Sequence, residues 1–330
     1  MKSFWNAIPK PCFVLAPMAD ITDAAYRKII AELGKPDVSW SEFVSADGLY
    51  HTREVQKLPD EENPLMRDLA YTDSERPIVA QIFSGKPEMI TYAARLVAEL
   101  GFDGVDINMG CPDRSVEKQG AGAALIKNPA LAAELIAAAK DGARAAGREI
   151  PVSVKTRIGY ISETLDEWIP TLLLAEPAAI TVHLRTRKEL SDTPAHWELM
   201  THIVALRDRA GSATLVLGNG DVQSLADAKH KARETGADGI MLGRAIFGNP
   251  WLFTGRVRDD IPPAERLSAL VNLAYAFEAI TPPKHFSIFK KHIKAFVSGF
   301  PGAAELRAEL MKAENAAQIS TILTSAPKLL

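Results

Sequence analysis

The stretch IVAQIFSGKPEMITYAARLVAELGFDGVDINM, residues 78–109, contains a complete strand–helix–strand pattern. Two apolar runs, Ile78–Phe83 and Gly104–Met109, have the length and β-branched content of buried strands. Between them, Gly85–Glu88 opens a helical pattern that ends near Leu100, with a proline suited to the first helical turn. Because such units form right-handed crossovers, the stretch predicts two neighbouring parallel strands.

The same period repeats along most of the chain. Six further apolar runs have the character of strands: Phe13–Ala19, Val38–Val44, Val152–Ile158, Ala179–Leu184, Thr214–Leu217 and Gly239–Leu242. Further helical patterns cover Asp23–Leu33, Asn128–Ala146 and Asp221–Thr235. Eight units in about 250 residues predict an α/β fold, a (β/α)8 TIM barrel. An open doubly wound sheet is the alternative, but no G-x-G-x-x-G follows the first strand.

The region after about Asp259 has no strand runs. Helical patterns cover Leu267–Ala279, Phe286–Val297 and Ala303–Ala313, with proline pairs at residues 262–263 and 282–283. We therefore predict a barrel domain over residues 1–255 and a small C-terminal all-helical domain over residues 256–330.

Composition excludes several classes of protein. The 330 residues include 47% hydrophobic side chains and carry a net charge of −3, so the chain is neither disordered nor strongly basic. Two cysteines cannot form a disulfide scaffold, and no apolar run reaches the roughly 18 residues of a membrane span. Met1–Pro11 lacks the apolar core of a signal peptide. We expect a monomeric protein of the reducing cytoplasm, without a membrane anchor.

The small net charge conceals a separation of charge along the chain. Residues 256–330 contain ten Lys/Arg and seven Asp/Glu, a net +3, so the rest of the chain carries −6. Lys290, Lys291 and Lys294 lie in one predicted helix. They form either a solvated helix face or a surface that contacts the phosphates of a nucleic acid.

Polar residues at the carboxyl ends of the strands are the candidates for chemistry, because barrel active sites form at that face. Strand seven ends in Gly218–Asp221, and strand eight ends in Gly243–Ala245. Glycine lets the backbone approach a phosphate, and Arg244 adds a charged partner. Ordinary turns that require glycine are the alternative interpretation.

Lys155 and His183 lie within apolar strands, where a charged lysine needs a partner. The partner is a bound anionic cofactor, a Schiff-base substrate as in aldolases, or a salt bridge with an acid such as Asp106. Cys111 lies on a loop at a strand end and is a candidate nucleophile or general acid, whereas Cys12 has the position of a buried core residue. Two distant cysteines cannot hold zinc or an iron–sulfur cluster, and no metal is expected.

Taken together, the motifs resemble the tRNA-dihydrouridine synthases, flavoenzymes that reduce uridine in transfer RNA. The matching segments are residues 16–23, 106–112, 120–125, 154–159, 183–187, 219–221 and 243–245, with 290–292 and 301–307 in the tail. The chain departs from the family pattern at Leu184, at residues 188–197 and at the proline-rich residues 281–284.

The resemblance implies FMN as cofactor, NADPH as reductant and tRNA as partner. It places the flavin ring against Pro17, Met18 and Ala19. It assigns contacts to the ring or ribityl chain to Gln81, Lys155 and His183. It assigns the ribityl and phosphate end to Asn219, Gly220, Asp221, Gly243 and Arg244.

The implied reaction transfers a hydride from reduced flavin N5 to uracil C6, and Cys111 donates a proton to C5. The resemblance assigns substrate contacts to Asn108, Arg157, Arg185, Lys290, Lys291 and Lys294. A barrel flavin oxidoreductase acting on a small pyrimidine or an enone is the alternative function. An aldolase using Lys155 and an RNA-binding protein without catalysis are two others.

Overall fold

A computed structural model describes residues 3–325, so the extreme ends of the two predicted domains lie outside the described residues. Eight strands form one parallel sheet in the order β1-β8-β7-β6-β5-β4-β3-β2. A parallel bridge between Val14 and Val38 joins the sheet's two outer strands and closes the barrel. The strands are β1 Cys12–Leu15, β2 Ser39–Ser45, β3 Ile78–Phe83, β4 Gly104–Met109, β5 Val152–Gly159, β6 Ala179–Thr186, β7 Leu215–Asn219 and β8 Gly239–Leu242. The predicted α/β barrel is confirmed.

Helices surround the barrel and form the C-terminal region. Those of the barrel region are α1 Ala24–Gly34, α2 Ala46–Tyr50, α3 Pro64–Asp68, α4 Pro87–Glu99, α5 Arg114–Glu117, α6 Pro129–Ala145, α7 Leu165–Leu174, α8 Met200–Arg209 and α9 Leu225–Thr235. Those of the tail are α10 Pro263–Glu278, α11 Lys290–Phe296, α12 Ala303–Leu310 and α13 Ala316–Ser325. Among residues 3–325, no helix combines the length and apolar character that crossing a bilayer requires.

Several predicted boundaries differ from the observed ones, among them both ends of the tail helix predicted at Phe286–Val297, which spans Lys290–Phe296. Two of the differences, in the barrel, have a clear physical reason. The first strand ends at Leu15. Pro17 has no backbone N–H to donate, so the chain cannot continue the ladder of strand hydrogen bonds there, and it turns away. The helix predicted from Asp221 begins at Leu225, capped by the Ser224 side chain. Asp221 itself has φ +49, a left-handed conformation that a helix does not contain.

The tail helices share one hydrophobic core with the barrel. The Tyr26 ring of α1 lies 4.7 Å from the His292 ring and 6.1 Å from the Phe296 ring, both on α11. Tyr26, His292 and Phe296 are all buried. The tail is therefore fixed beside β1 and β2, at one side of the barrel mouth.

Candidate active site

Strand register brings the predicted site residues to one interior face. Asn108 on β4 pairs with Lys155 on β5, and Arg157 pairs with His183 on β6. His183 pairs in turn with Asn219 on β7. Residues two apart on a strand share a face, so Lys155 and Arg157 point to the same side of their strand.

A cavity of about 230 Å³ opens between the carboxyl ends of β1, β5, β6, β7 and β8. Its lining consists of Ala16, Pro17, Met18, Lys155, His183, Arg185, Ser191, Asn219, Gly220, Asp221, Val222, Met241, Gly243 and Arg244. Ten predicted site residues are thus brought together. Cys111, Ala19, Gln81, Asn108, Arg157 and the tail lysines lie outside this lining.

Lys155 and His183 have strongly perturbed electrostatics. Burial, assisted by the neighbouring Arg157 charge, lowers the pKa of Lys155 to about 8. Burial and the surrounding cations, Lys155 first among them, also hold the pKa of His183 far below its usual range. Because Arg185 can only donate, its 3.1 Å contact with His183 Nε2 places the ring proton on Nδ1. The pocket therefore presents an ammonium and a neutral imidazole.

Asp221 organises the arginines at the other end of the pocket. One of its oxygens accepts from Arg185 Nη2 and from the Ala195 amide, and the other lies 2.6 Å from Arg244 Nη2. Burial opposes its ionisation, but the Arg185 hydrogen bond holds the pKa of Asp221 below its usual range. Asp221 therefore orients Arg244 as an anion, while the Arg244 side chain stays 60% exposed and available to a ligand.

The backbone carbonyls of Gly110 and Cys111 both accept hydrogen bonds. Arg157 Nε donates to Gly110 O at 2.8 Å, and the Ala123 amide donates to Cys111 O at 2.9 Å. The Asn108 side-chain oxygen accepts from the amides of Gly110 and Cys111. Burial raises the pKa of the Cys111 thiol, so at neutral pH the loop presents a protonated thiol in a fixed place.

Arg187, which follows β6, contacts the Cys111 loop, and no role was predicted for it from the sequence. Its guanidinium forms a two-pronged ion pair with Glu117 of α5 and reaches Pro112 O at 3.2 Å. Arg187 thereby ties the end of β6 to the segment that follows Cys111. The resemblance segment includes Arg187, but no sequence pattern shows that its partner lies 70 residues away.

A buried polar layer lies beneath the Cys111 loop. Asp106 accepts from Gln81 Nε2 at 2.7 Å and from Ser153 Oγ at 2.6 Å. Gln81 Oε1 in turn accepts from Asn108 Nδ2 at 3.1 Å. Burial raises the pKa of Asp106 to about 6. The Gln81 and Asn108 amides thus support the Cys111 turn, and their predicted ligand contacts stay predictions.

The three tail lysines lie on α11. Lys291 Nζ lies 3.2 Å from Asp20 in the turn after β1, and both side chains are about half exposed. Lys294 is also exposed. Cys111, on the loop after β4, lies farther around the mouth from β1 and β2, where the tail packs.

The donor set of the pocket fits a flavin mononucleotide. Its cations suit a phosphate, and its apolar members near Met18 suit a flat ring. A Cβ placed on Gly243 would project toward Met18 and lie 3.6 Å from its sulfur, so a side chain there would enter the cavity. Gly220 has φ +126, and a Cβ there would approach Ala195 to 2.8 Å.

Four lining residues carry no chemical signal in the sequence: Ala16, Ser191, Val222 and Met241. Ala16, Val222 and Met241 could have been found from their positions at or beside strand ends. Ser191 belongs to the segment that departs from the family pattern, and its place in the lining depends on how that segment folds.

Comparison with known proteins identifies a matching family. The family model for dihydrouridine synthase (Dus) matches residues 14–328. The chain is 39% identical over 327 residues to a probable tRNA-dihydrouridine synthase 2 of Bacillus subtilis, covering 98% of this chain and 96% of that protein. It is 38% identical to a probable tRNA-dihydrouridine synthase of Staphylococcus epidermidis, covering 98% and 95%.

Solved structures with lower identity share the fold. Histamine dehydrogenase from Rhizobium sp. 4-9 matches with a TM-score of 0.52 and 16% identity, over 82% of this chain and 49% of that one. A 2-naphthoyl-CoA reductase matches with a TM-score of 0.53 and 13% identity, over 76% and 50%. The chain thus spans about half the length of either structure, and at these identities the likeness concerns the fold alone.

Proposed function

The chain belongs to the dihydrouridine synthase family, and from that premise we propose that it reduces a uridine of tRNA to 5,6-dihydrouridine, with FMN as cofactor and NADPH as reductant. The observation that carries the proposal is the position of Cys111. Its protonated thiol is held on the barrel rim, on the loop that follows β4, the strand next to the one that carries Lys155 into the cationic pocket.

Different residues of the pocket would bind different parts of FMN. Arg244, with the backbone at Gly220 and Gly243, would bind the phosphate, and Pro17 and Met18 would lie against the ring. Lys155 would face the N1–O2 edge and stabilise negative charge there. Bound here and reduced, FMN would supply the hydride chemistry for C6 of the uracil.

Cys111 completes the reduction by giving its Sγ proton to C5. Burial keeps the thiol protonated, and the carbonyl contacts of the loop keep it in place. Arg157 uses Nε and Nη1 on backbone carbonyls, so Nη2 is the group we assign to a uracil carbonyl. The target base must leave its stack to reach this site, as in other base-modifying enzymes.

Flavin binding is the first test of the proposal. The purified protein, reconstituted with FMN and freed of excess cofactor, should be yellow with a protein-bound flavin spectrum. A protein that stays colourless after reconstitution would contradict the assignment of this pocket to FMN.

FMN affinity is expected to fall as the pH rises above 8. Lys155 has a pKa of about 8 in the free site, and an anionic ligand raises that pKa. Binding is therefore at full strength below pH 8 and weakens by up to about tenfold per pH unit above it. The FMN phosphate does not contribute to the decline above pH 8, because its second pKa is about 6. Fluorescence titration between pH 6.5 and 9.5 measures the effect, and a flat profile would contradict it.

Charge reversal of the tail lysines is expected to weaken tRNA binding. Replacing Lys290, Lys291 and Lys294 by Glu removes up to three phosphate contacts, and each lost contact lowers the log–log salt slope by about 0.9. Filter binding of unmodified tRNA at several salt concentrations measures the slope. The matched control reverses Lys229 and Arg233, exposed on α9. If the α11 and α9 substitutions weaken tRNA binding equally, the assignment of α11 to the RNA-binding surface is contradicted.

A further inference from the structure

Lys284 is a buried cation in the proline-rich segment that the family resemblance did not explain. Its side chain is 4% exposed, and its Nζ lies 2.7 Å from Glu42 Oε2 and 3.5 Å from Asp68 Oδ1. The Glu42 side chain, on β2, is 7% exposed. A buried charge pair of this kind is held firmly, because separating it leaves a charge without water or a partner.

The second oxygen of Glu42 reaches the turn that forms one wall of the pocket. Glu42 Oε1 accepts a hydrogen bond from the Asp20 amide at 2.5 Å. Asp20 has φ +57, a left-handed conformation that is uncommon for residues other than glycine. The hydrogen bond from its amide to Glu42 therefore holds the turn in this conformation. Two residues earlier, Met18 lines the cavity and is tied to Thr22 by a hydrogen bond of 2.9 Å.

We propose that Lys284 is a positioning residue for the cofactor pocket: through Glu42 it holds the Asp20 amide, and with it the Pro17–Met18 wall. The assignment of that wall to FMN rests on the proposed function. The tail then has a second task besides contacting RNA, since one of its lysines shapes the flavin site from outside the pocket.

Lys291 and Lys284 both act on Asp20, but in different ways: Lys291 pairs with its carboxylate, and Lys284 reaches its amide through Glu42. The Lys291 contact to the Asp20 carboxylate is about half exposed on both sides, and exposed pairs contribute little to stability. An RNA phosphate can replace Asp20 as the partner of Lys291, whereas the buried Lys284–Glu42 pair stays formed. The two lysines therefore have different roles: Lys291 is free to contact RNA, and Lys284 is structural.

Lys284→Met tests the proposal, with Glu42→Gln as a second variant that preserves size. In both we expect the FMN dissociation constant to rise about tenfold or more, the equivalent of one lost charged hydrogen bond. We also expect hydrogen exchange at the Asp20 amide to accelerate in the apoprotein, while the Tyr26 amide, bonded to Asp23, keeps its protection. The control is Lys312→Met, which removes a 70% exposed tail lysine paired with Glu309.

Unchanged Asp20 exchange and unchanged FMN affinity in a folded variant would overturn the proposal. Equal acceleration at Asp20 and Tyr26 would also overturn it, because that pattern indicates general loosening. If Lys284→Met does not fold, the same criteria apply to Glu42→Gln. A wild-type protein that binds no FMN would refute the proposed function, while the exchange measurement would still decide the role of Lys284.

Discussion

Replacing Cys111 by alanine is expected to lower the rate of dihydrouridine formation by about 10²- to 10⁴-fold, the usual contribution of a positioned general acid. The thiol is the proton source for C5, and alanine leaves water as the substitute. FMN affinity and the rate at which NADPH reduces the flavin should stay within about twofold, since Cys111 lies outside the pocket lining. Single-turnover reduction of tRNA, followed by nucleoside mass spectrometry, separates the two steps.

Cys12→Ala is the matched control, because Cys12 is the second cysteine and is buried in the barrel core. It removes a thiol without touching the mouth of the barrel. We expect its activity to remain close to that of the wild type. An equal loss of activity in both variants, or full activity in Cys111→Ala, would contradict the role assigned to Cys111.

Replacing Lys155 by methionine is expected to weaken FMN binding about 10- to 100-fold, the equivalent of one hydrogen bond to a charged group. Methionine retains the length of the side chain and removes its charge. The same variant should lose the decline of affinity above pH 8. Fluorescence titration measures both effects, and wild-type affinity with an intact pH profile would contradict them.

The same substitution should stabilise the apoprotein, a sign opposite to its effect on binding. Burial lowers the pKa of Lys155 to about 8, so the charged lysine destabilises the folded state below that pH. Since one pKa unit corresponds to about 1.4 kcal/mol, the gain is about 1–3 kcal/mol. It is fully present below pH 8 and disappears toward the unfolded pKa near 10.4. Urea unfolding at pH 7 measures it, and a destabilised variant would contradict this account.

The barrel could be predicted from the sequence because its signals are local and repeated. The runs Ile78–Phe83, Gly104–Met109 and Gly239–Leu242 coincide with whole strands, since buried parallel strands are apolar on both faces. Helix α7 was missed because Pro170 interrupts its pattern. Helix α13, Ala316–Ser325, was also missed.

The site could be predicted in part, for a related physical reason. The apolar runs of β5 and β6 placed Lys155 and His183 within buried strands, and strand-end glycines indicated the Gly220 and Gly243 turns. Contacts that join distant parts of the chain leave no local pattern. The ion pair of Lys284 with Glu42 spans 242 residues, and the Asp221 bridge between two arginines depends on a left-handed backbone that the sequence does not announce.

Incubation of the FMN-loaded protein with unmodified tRNA and NADPH tests the central claim most directly. The tRNA is then digested, and each uridine is examined by mass spectrometry for the gain of two hydrogen atoms. We predict that dihydrouridine forms at a specific uridine, only when NADPH is present, and that it forms at least about 100-fold more slowly in the Cys111→Ala variant. A flavin that NADPH reduces while the tRNA stays unmodified would contradict the claim and favour a small-molecule substrate.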